Sequence, residues 1–217
     1  MPEKPNLSYH GQAGQDQFVT EMTRFKTNGF FLEIGGFDPI DGSNGYVLET
    51  PLNWKGILVE MNQQWLPRYK LIRPKTRPIM CDATQIGYLK ELEQDHFPPT
   101  VDYLQIDLDA DNRSTLTTLE KIERELMPTY TFGVVTFEHD FYRGDFYDTR
   151  HVSRMIFARR GYIRLFSDVA LTGMPFEDWY AHPYIIDRQL CDKITSDPEN
   201  HVRIEWTQCL QIVRKYV

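Results

Sequence analysis

The sequence contains few cysteines, no long apolar segment and no excess of basic residues. The three cysteines, Cys81, Cys191 and Cys209, have no CxxC spacing, which argues against a disulfide framework and predicts a reducing, cytoplasmic location. No apolar run approaches the roughly 20 residues that a membrane-spanning helix requires. The 24 Lys and Arg residues against 31 Asp and Glu residues give a formal net charge of −7. Because each phosphate contact requires a basic side chain, nucleic acid and anionic membranes are not expected as main partners.

Internal repeats and low-complexity linkers are also missing, so the sequence predicts one domain over residues 1–217. Short apolar runs alternate with longer segments of helical spacing. The runs predict strands at 30–34, 57–59, 78–81, 101–106, 132–137 and 162–171, with 202–206 and 210–213 as further candidates. Helices are predicted at 14–26, 43–53, 63–71, 86–92, 114–126 and 149–160. This alternation predicts an α/β fold with a doubly wound, mostly parallel Rossmann-like sheet that carries helices on both faces.

Acidic residues recur where the predicted strands end. Glu60, Asp82, Asp107 and Glu138 close or directly follow four strands, and Glu33 lies inside the first. In open parallel sheets the ligand lies outside the carboxyl ends of the strands. The alternative is that these acids cap the helices that follow. Five carboxylates on successive strands favour a functional edge.

The turn after the first predicted strand has glycines but no phosphate-binding spacing. Residues 35–42 lack the G-x-G-x-x-G pattern, and Asp38 and Asp41 would repel a diphosphate. The sequence has no G-x-x-x-x-G-K-[ST] motif either, which disfavours ATP and GTP. S-adenosylmethionine fits better, because it has an adenosine but no phosphate and carries two positive charges. Glu60 then suits the ribose hydroxyls and Asp82 the adenine amino group.

Several motifs occur in an order that resembles a known enzyme family. They are Gly14-Gln15-Asp16-x-Phe18-Val19, Phe31-Leu32-Glu33-Ile34-Gly35-Gly36-Phe37-Asp38, Ser43-Asn44, Trp54-x-Gly56-Ile57-x-Val59-Glu60, Asp102-Tyr103-Leu104-x-Ile106-Asp107-x-Asp109, Gly161-Tyr162 and Phe176-Glu177-Asp178-Trp179. The chain resembles the FkbM-type methyltransferases, a class I group that uses S-adenosylmethionine and often acts on sugar hydroxyls. The similarity runs from residue 8 to about 183.

This resemblance implies a set of cofactor contacts. Residues 1–28 would form a helical segment that covers the cofactor site, with Gln15 closing over it, whereas 184–217 would be an extension of unknown role. The predicted cofactor-binding residues are Gln15, Glu33, Gly35, Gly36, Asp38, Ser43, Asn44, Glu60, Asp82 and Ala83.

Two acidic segments follow neighbouring predicted strands, and they predict where the acceptor is activated. Oxygen-rich ligands suit Mg²⁺ or Mn²⁺, and some related sugar methyltransferases bind a divalent ion at these positions. The resemblance therefore implies a metal site, although the acids of the first segment could simply cap the next helix. The predicted ligands are Asp107, Asp109, Glu138 and Asp140, with His139 close by.

An alcohol acceptor hardly ionises at neutral pH, so the reaction needs a base or a cation. His139 is the first candidate for the base and Asp107 the second, because imidazole titrates near neutral pH and neighbouring acids favour its charged form. Tyr142, Arg143 and His182 are candidate substrate contacts; the first two lie in a polar, aromatic segment that could also be an ordinary solvated loop, and His182 could also belong to a plain turn.

The sequence therefore predicts a methyltransferase that transfers a methyl group from S-adenosylmethionine to a hydroxyl, with a sugar or glycan as the expected acceptor. Two alternatives stay open. One is an NAD(P)-dependent Rossmann oxidoreductase, which the Asp-rich turn argues against. The other is a non-enzymatic binding module on a methyltransferase scaffold, which would need neither Asp107 nor His139.

Overall fold

The computed structural model describes residues 6–144 and 146–217, except for the side chain of Tyr147. The first five residues of the predicted N-terminal segment lie outside the described residues. The strands are β1 (Phe30–Ile34), β2 (Lys55–Glu60), β3 (Thr76–Met80), β4 (Thr100–Ile106), β5 (Thr131–Glu138), β6 (Ile163–Leu171) and β7 (Met174–Ala181). The helices are α1 (Gln15–Met22), α2 (Tyr46–Glu49), α3 (Leu66–Ile72), α4 (Tyr88–Gln94), α5 (Ser114–Glu125), α6 (Tyr147–Arg159), α7 (Arg188–Thr195) and α8 (Trp206–Tyr216).

The seven strands form one sheet in the order β3-β2-β1-β4-β5-β7-β6. Strands β1 to β5 are parallel, and β7 runs antiparallel between β5 and β6. The sheet is therefore a mostly parallel Rossmann-like sheet, which confirms the predicted fold class. The carboxyl ends of the five parallel strands meet at one edge, here called the carboxyl edge.

Both faces of the sheet are buried, because helices cover each side, and successive residues of each strand point to opposite faces. Phe31, Tyr103 and Trp179 belong to a core shared with α1, α7 and α8. The second core, on the other face, is shared with α4, α5 and α6 and contains Leu32, Leu104 and Tyr180. Buried on both sides, the strands read as continuous apolar runs, which is why the sequence indicated them so clearly.

The predicted strands at 202–206 and 210–213 are wrong, because 202–205 contains a turn and only an isolated bridge from Glu205 to Ala170, and Trp206–Tyr216 is helix α8. A reciprocal cap starts this helix: the Glu205 side chain accepts from the backbone of Gln208, and the Gln208 side chain accepts from the Glu205 N–H. Its apolar residues Cys209, Leu210 and Val213 follow helical spacing and enter the first core. Strand β7 and helix α7 were not predicted, and the predicted helix at 43–53 is only the four-residue α2.

Helix α8 packs against α1 at the other end of the chain. A side chain on Gly14 would overlap the Trp206 ring, and Arg214 Nε lies 3.1 Å from Glu21 Oε1. Residues 184–217 thus contribute helices to the same core as the sheet. Among the described residues, no helix combines the length and the apolar character needed to cross a bilayer.

Candidate functional site

A cavity of about 770 Å³ opens at the carboxyl edge, between the ends of β1, β2, β4 and β5. Its volume lies within the range of small-molecule sites. The predicted site residues that line it are Gly35, Glu60, Asp82, Ala83, Asp107, Asp109, Glu138, Asp140, Tyr142 and Arg143.

The turn after β1 lies directly against the end of β4. Gly35 has a positive φ of 82°, and a Cβ at this position would overlap the carbonyl oxygen of Asp107. A side chain at Gly36 would likewise overlap Leu58. Glycine is therefore required at this turn both for its conformation and for the close approach of the two backbones.

Glu60 ends β2 and is held by backbone donors. Its Oε2 accepts from the Phe37 N–H at 3.0 Å and its Oε1 from the Asn62 N–H at 2.7 Å. The side chains of Phe37 and Met61 are 64% and 73% exposed on the cavity rim, and the Phe37 ring packs edge-on against Trp65. A fixed carboxylate beside two exposed apolar side chains suits a nucleoside, which has a polar ribose and an apolar base face.

Asp82 follows β3 and lines the next part of the cavity. Its Oδ1 accepts from both the N–H and the hydroxyl of Thr84, each at 2.8 Å. Ala83 is nearly buried, and its small side chain leaves room beside Asp82. Burial raises the pKa of the neighbouring Cys81 thiol, so it stays protonated and is not a nucleophile.

Three carboxylates crowd the other half of the cavity. Glu138 at the end of β5 lies within hydrogen-bonding reach of Asp107 and Asp140, and burial together with these two acids raises its pKa well above the usual range. Burial also raises the pKa of Asp107. Asp140 is 3% exposed, and its Oδ1 has no hydrogen-bond partner among the described residues. These three residues are called the cavity cluster below.

Arg143 supplies positive charge at the mouth of the cavity. Its Nη1 lies 3.0 Å from Asp140 Oδ2, and its Nη2 lies 3.3 Å from Asp111. Asp109 is 3.8 Å away. Tyr142, next to it, is half exposed, and desolvation raises the pKa of its hydroxyl. One half-exposed arginine thus faces several carboxylates.

Glu33 and Ser43, predicted to contact the cofactor, lie in a buried polar cluster instead of the cavity lining. Arg73 is fully buried and places its Nη1 2.8 Å from Glu33 Oε2 and 3.0 Å from Ser43 Oγ. Its Nε lies 3.5 Å from Glu49. The Gly45 N–H donates to Glu33 at 3.1 Å. These contacts fix Ser43 and Gly45, in the segment between the β1 turn and α2, to Arg73 and Glu33.

Asp38 is buried in the turn and has structural partners. Its Oδ1 accepts from the N–H groups of Ile40 and Asp41 at 2.9 and 3.0 Å, and its Oδ2 pairs with Arg68. The carbonyl oxygen of Gly36 accepts from the Tyr69 hydroxyl at 2.9 Å. Neither Gly36 nor Asp38 lines the cavity.

Gln15 and Asn44 are also buried away from the cavity lining. Gln15 accepts from the Ala13 N–H at 2.9 Å and hydrogen-bonds to Glu177, whereas the Asn44 amide donates to Gln105 at 2.9 Å. Both side chains therefore hold backbone segments that surround the site.

His139 follows Glu138 but points to the opposite face of the sheet, where it is fully buried. Its Nε2 lies 3.4 Å from Asp168 and 3.5 Å from Asp178. Arg154 joins the same two acids, with its Nη2 2.7 Å from Asp168 and its Nε 2.6 Å from Asp178. Arg150 Nε lies 3.6 Å from Asp168. These five residues are called the arginine cluster.

The histidine and the two acids are close enough together to hold a metal ion, but Arg154 already supplies the compensating charge. Burial by itself would raise the pKa of Asp178, yet the hydrogen bond from Arg154 and the neighbouring His139 hold that pKa well below its usual range. The arginine cluster is thus a charge-balanced buried network rather than part of the cavity.

His182 lies at the opposite edge of the sheet from the cavity. Strand β7 runs antiparallel to β5, so its end brings His182 beside Gly133 near the start of β5, with a 2.8 Å backbone hydrogen bond. The ring accepts from the Tyr184 N–H at 3.3 Å, and burial lowers its pKa. The sequence could not show this position, because the direction of β7 was not predicted.

Sequence reasoning missed several residues that line the cavity. Phe37 and Met61 were detectable in principle, since both are large apolar residues directly beside predicted strand-end positions. Thr84 follows Asp82 at the spacing of a side-chain–backbone turn. The other missed residues are Val59, Cys81, Leu108, Asn112, Ser114 and Thr117.

No protein-family model matches the sequence. No curated protein is significantly similar to it either. The FkbM-type resemblance therefore stays a prediction.

Solved structures with a similar fold do exist. A protein assigned as a caffeoyl-CoA O-methyltransferase from Staphylococcus aureus is 15% identical, with a TM-score of 0.54 over 81% of this chain and 86% of that chain. A protein assigned as an rRNA methylase from Clostridium thermocellum is 12% identical, with a TM-score of 0.52 over 81% and 99%. A TehB-like SAM-dependent methyltransferase from Corynebacterium glutamicum is 14% identical, with a TM-score of 0.50 over 79% and 88%. The chain has the class I methyltransferase fold.

Proposed function

We propose that this protein is an S-adenosylmethionine-dependent methyltransferase that methylates a hydroxyl group, with a sugar or glycan as the acceptor. The observation that carries the proposal is the division of one cavity into two halves. A fixed acid between two exposed apolar side chains, Glu60 with Phe37 and Met61, lies beside the cavity cluster of three crowded carboxylates. The class I methyltransferase fold supports this proposal.

The residues of the first half fit S-adenosylmethionine. The turn at Gly35 brings backbone close to the cavity without a phosphate-binding pattern, and the acids of the lining suit a ligand with positive charges. When bound, S-adenosylmethionine supplies an electrophilic methyl group and leaves as a neutral thioether. Phe37 and Met61 would cover the base and exclude water, and Glu60 would accept hydrogen bonds from the ribose.

The cavity cluster suggests how the acceptor hydroxyl loses its proton. Because Glu138 and Asp107 lie so close together, the pair holds a proton to higher pH than two separate carboxyl groups would, and Glu138 has the more strongly raised pKa. Asp107 would then accept the proton from the acceptor hydroxyl. In this proposal Asp107 takes the role of base that the sequence first suggested for His139, because the His139 ring lies on the far face of the sheet. His139 instead positions the end of β5.

Binding of a divalent cation is a second way to balance the negative charge of the cavity cluster. Asp107, Glu138 and Asp140 would hold Mg²⁺ or Mn²⁺, with Asp109 at the rim, and the ion would lower the pKa of the acceptor hydroxyl. The buried, unpartnered Oδ1 of Asp140 supports this site.

We expect Mn²⁺ to raise the melting temperature of the wild type but not of Asp140→Asn. An equal rise in both would contradict the site.

The mouth of the cavity suits a carbohydrate. The half-exposed Tyr142 offers a ring face and a hydroxyl, and Arg143 offers donors to sugar oxygens. The FkbM-type resemblance supports a sugar hydroxyl, and the acidic lining disfavours a nucleic-acid acceptor. Three free cysteines, two of them buried, support a reducing location such as the cytoplasm.

Calorimetric titration with S-adenosylhomocysteine tests the first step of this proposal. We expect saturable binding to the wild type and binding weakened at least about tenfold in Glu60→Ala, the loss of about 1.4 kcal/mol. Glu93→Ala, which removes an exposed acid outside the cavity, is the matched control and should bind like the wild type. No binding at millimolar ligand would refute the proposal, and saturable NAD(H) binding instead would favour the oxidoreductase.

Mass spectrometry of glycans incubated with labelled S-adenosylmethionine tests the acceptor. We expect label on a carbohydrate oxygen with the wild type and at least about 100-fold less with Asp107→Asn, as for loss of a general base. Cofactor binding without transfer to any acceptor would support the non-enzymatic binding module. Transfer to a protein or RNA fraction only would replace the sugar as acceptor.

A further inference from the structure

A second concavity lies at the opposite edge of the sheet, where β2 and β3 begin. It encloses about 570 Å³ and is lined by basic residues and two prolines. It is called the basic groove here and is defined by Lys55, Lys70, Pro74, Lys75, Arg77 and Pro78. We propose that the basic groove binds a phosphorylated small molecule of nucleotide size. The proposal does not depend on the proposed methyl transfer, because the groove is separate from the cavity.

Uncompensated positive charge is the first observation. Lys55, Lys70 and Lys75 have no carboxylate partner in the described part of the chain. The Lys55 amino group donates to the backbone oxygen of Asp95 at 2.9 Å, and that of Lys75 donates to Asn53. The groove thus gathers three ammonium groups in a protein whose formal net charge is −7.

The acid that lines the groove is already engaged. Asp95 pairs with Arg77 Nε at 2.7 Å, and Glu91 pairs with Arg77 Nη1 at 2.8 Å. Desolvation by itself would lower the pKa of Arg77, but the hydrogen bonds that its guanidinium donates to Asp95 and Glu91 outweigh it and raise that pKa. Both acids are thus paired with Arg77, and neither forms an ion pair with Lys55, Lys70 or Lys75 in the described part of the chain.

The backbone that carries Lys75 is held in place by buried residues. Its backbone N–H donates to Glu49 at 2.7 Å, and Glu49 in turn pairs with the fully buried Arg73. Pro74 and Pro78 restrict the backbone on either side. A site whose backbone is already ordered loses little conformational entropy when a ligand binds.

Size and charge favour a small phosphorylated ligand. The volume lies in the range of small-molecule sites, and the prolines offer apolar surface to a ring. Two or three negative charges would match the lysines, as phosphate does at other lysine sites. An extended polyanion would reach the acidic remainder of the surface, whereas a small ligand responds only to charges within about 10 Å.

Calorimetric titration at low salt tests the groove with inorganic pyrophosphate and with ADP as probes. We expect one saturable site in the wild type, unchanged by saturating S-adenosylhomocysteine. Affinity should fall at least about tenfold in Lys70→Gln/Lys75→Gln. The control Lys90→Gln/Lys193→Gln removes the same charge from exposed lysines outside the groove and should bind within about twofold of the wild type.

Three results would overturn the proposal: no saturable binding of either probe, an equal loss in both double variants, or binding of a single-stranded RNA oligonucleotide without either probe. S-adenosylhomocysteine titrated into the same variants separates the two proposals. Its binding should persist when pyrophosphate binding is lost, so failure at the groove would leave the methyltransferase proposal intact.

Discussion

Two groups of acids lie near the end of β5, and they differ in how their charge is balanced. In the arginine cluster, two carboxylates lie beside Arg150, Arg154 and His139. In the cavity cluster, three carboxylates share one half-exposed arginine, Arg143. Asp168 and Asp178 are almost fully buried, as is Asp140, whereas Asp107 and Glu138 are partly exposed to the cavity.

The difference separates acids that stabilise the fold from acids that are available for chemistry. A buried carboxylate with arginine partners is held in its charged form and in one position. Carboxylates crowded without such partners raise one another's pKa and gain from any proton or cation that enters. We therefore expect substitutions in the two clusters to act on different properties, with stability affected by one and turnover by the other.

The largest effect should come from breaking the arginine cluster. Arg154→Met would leave Asp168 and Asp178 buried without their main partner, and we expect it to lower the free energy of unfolding by about 3–5 kcal/mol. Urea denaturation measures this change. Arg124→Met, at an exposed arginine with one weak contact, should cost less than about 0.5 kcal/mol. A similar small cost for Arg154→Met would remove the distinction between the clusters.

Substitution in the cavity cluster should affect turnover instead. Glu138→Gln keeps the size of the side chain but removes the titrating partner of Asp107. We expect transfer from labelled cofactor to fall about 100-fold, or about 2.7 kcal/mol in barrier height, while the free energy of unfolding stays equal or rises. Loss of stability comparable to Arg154→Met would show that Glu138 is structural.

The pH dependence of stability should have opposite signs for the two clusters. The pKa of Asp178 is lowered in the fold, so its stabilisation is present above its usual 3.8 and is lost as the pH falls below that value. The pKa of Glu138 is raised, so its stabilisation is complete below its usual 4.5 and is lost as the pH rises above it.

Each group changes the free energy of unfolding by at most about 1.4 kcal/mol per pH unit. We expect Glu138→Gln to flatten the decline in stability above pH 4.5, measured by urea denaturation at a series of pH values. An unchanged slope in that variant would mean that Glu138 does not bind a proton in the folded state.

The smallest effect on stability should come from the arginine that partly balances the cavity cluster. Arg143 is 41% exposed, so Arg143→Gln should change the free energy of unfolding by less than about 1 kcal/mol. With an acceptor identified, we expect a severalfold rise in its KM and a smaller change in kcat. A fall in kcat as large as that of Glu138→Gln would make Arg143 part of the reaction chemistry.

The strand-end acids show how far sequence reasoning reached. The apolar runs located β1 to β5. Because Glu60, Asp82, Asp107 and Glu138 end or follow these strands, their positions at one edge could be predicted as well. Glu33 could not be assigned, because its partner Arg73 lies far along the chain and only the fold brings the two together.

His139 and His182 show a second limit of prediction from the sequence, which concerns the direction in which a side chain or a strand points. At a strand end a difference of one residue decides the face, so Glu138 lines the cavity and His139 does not. His182 depended on the direction of β7, which local patterning does not encode. Sequence pattern thus located the functional edge, but it did not show which side chains face inward or which pair with each other.

The packing of α1 against α8 has a consequence for how the protein is made. Helix α1, which carries Gln15, is synthesised early, whereas its partners Trp206 and Arg214 leave the ribosome only after the whole sheet. Until then α1 lacks the part of its packing surface that α8 supplies, although β1 to β5 can already pair. Helix α1 can therefore complete its packing only after α8 has emerged, later in synthesis than the strands β1 to β5.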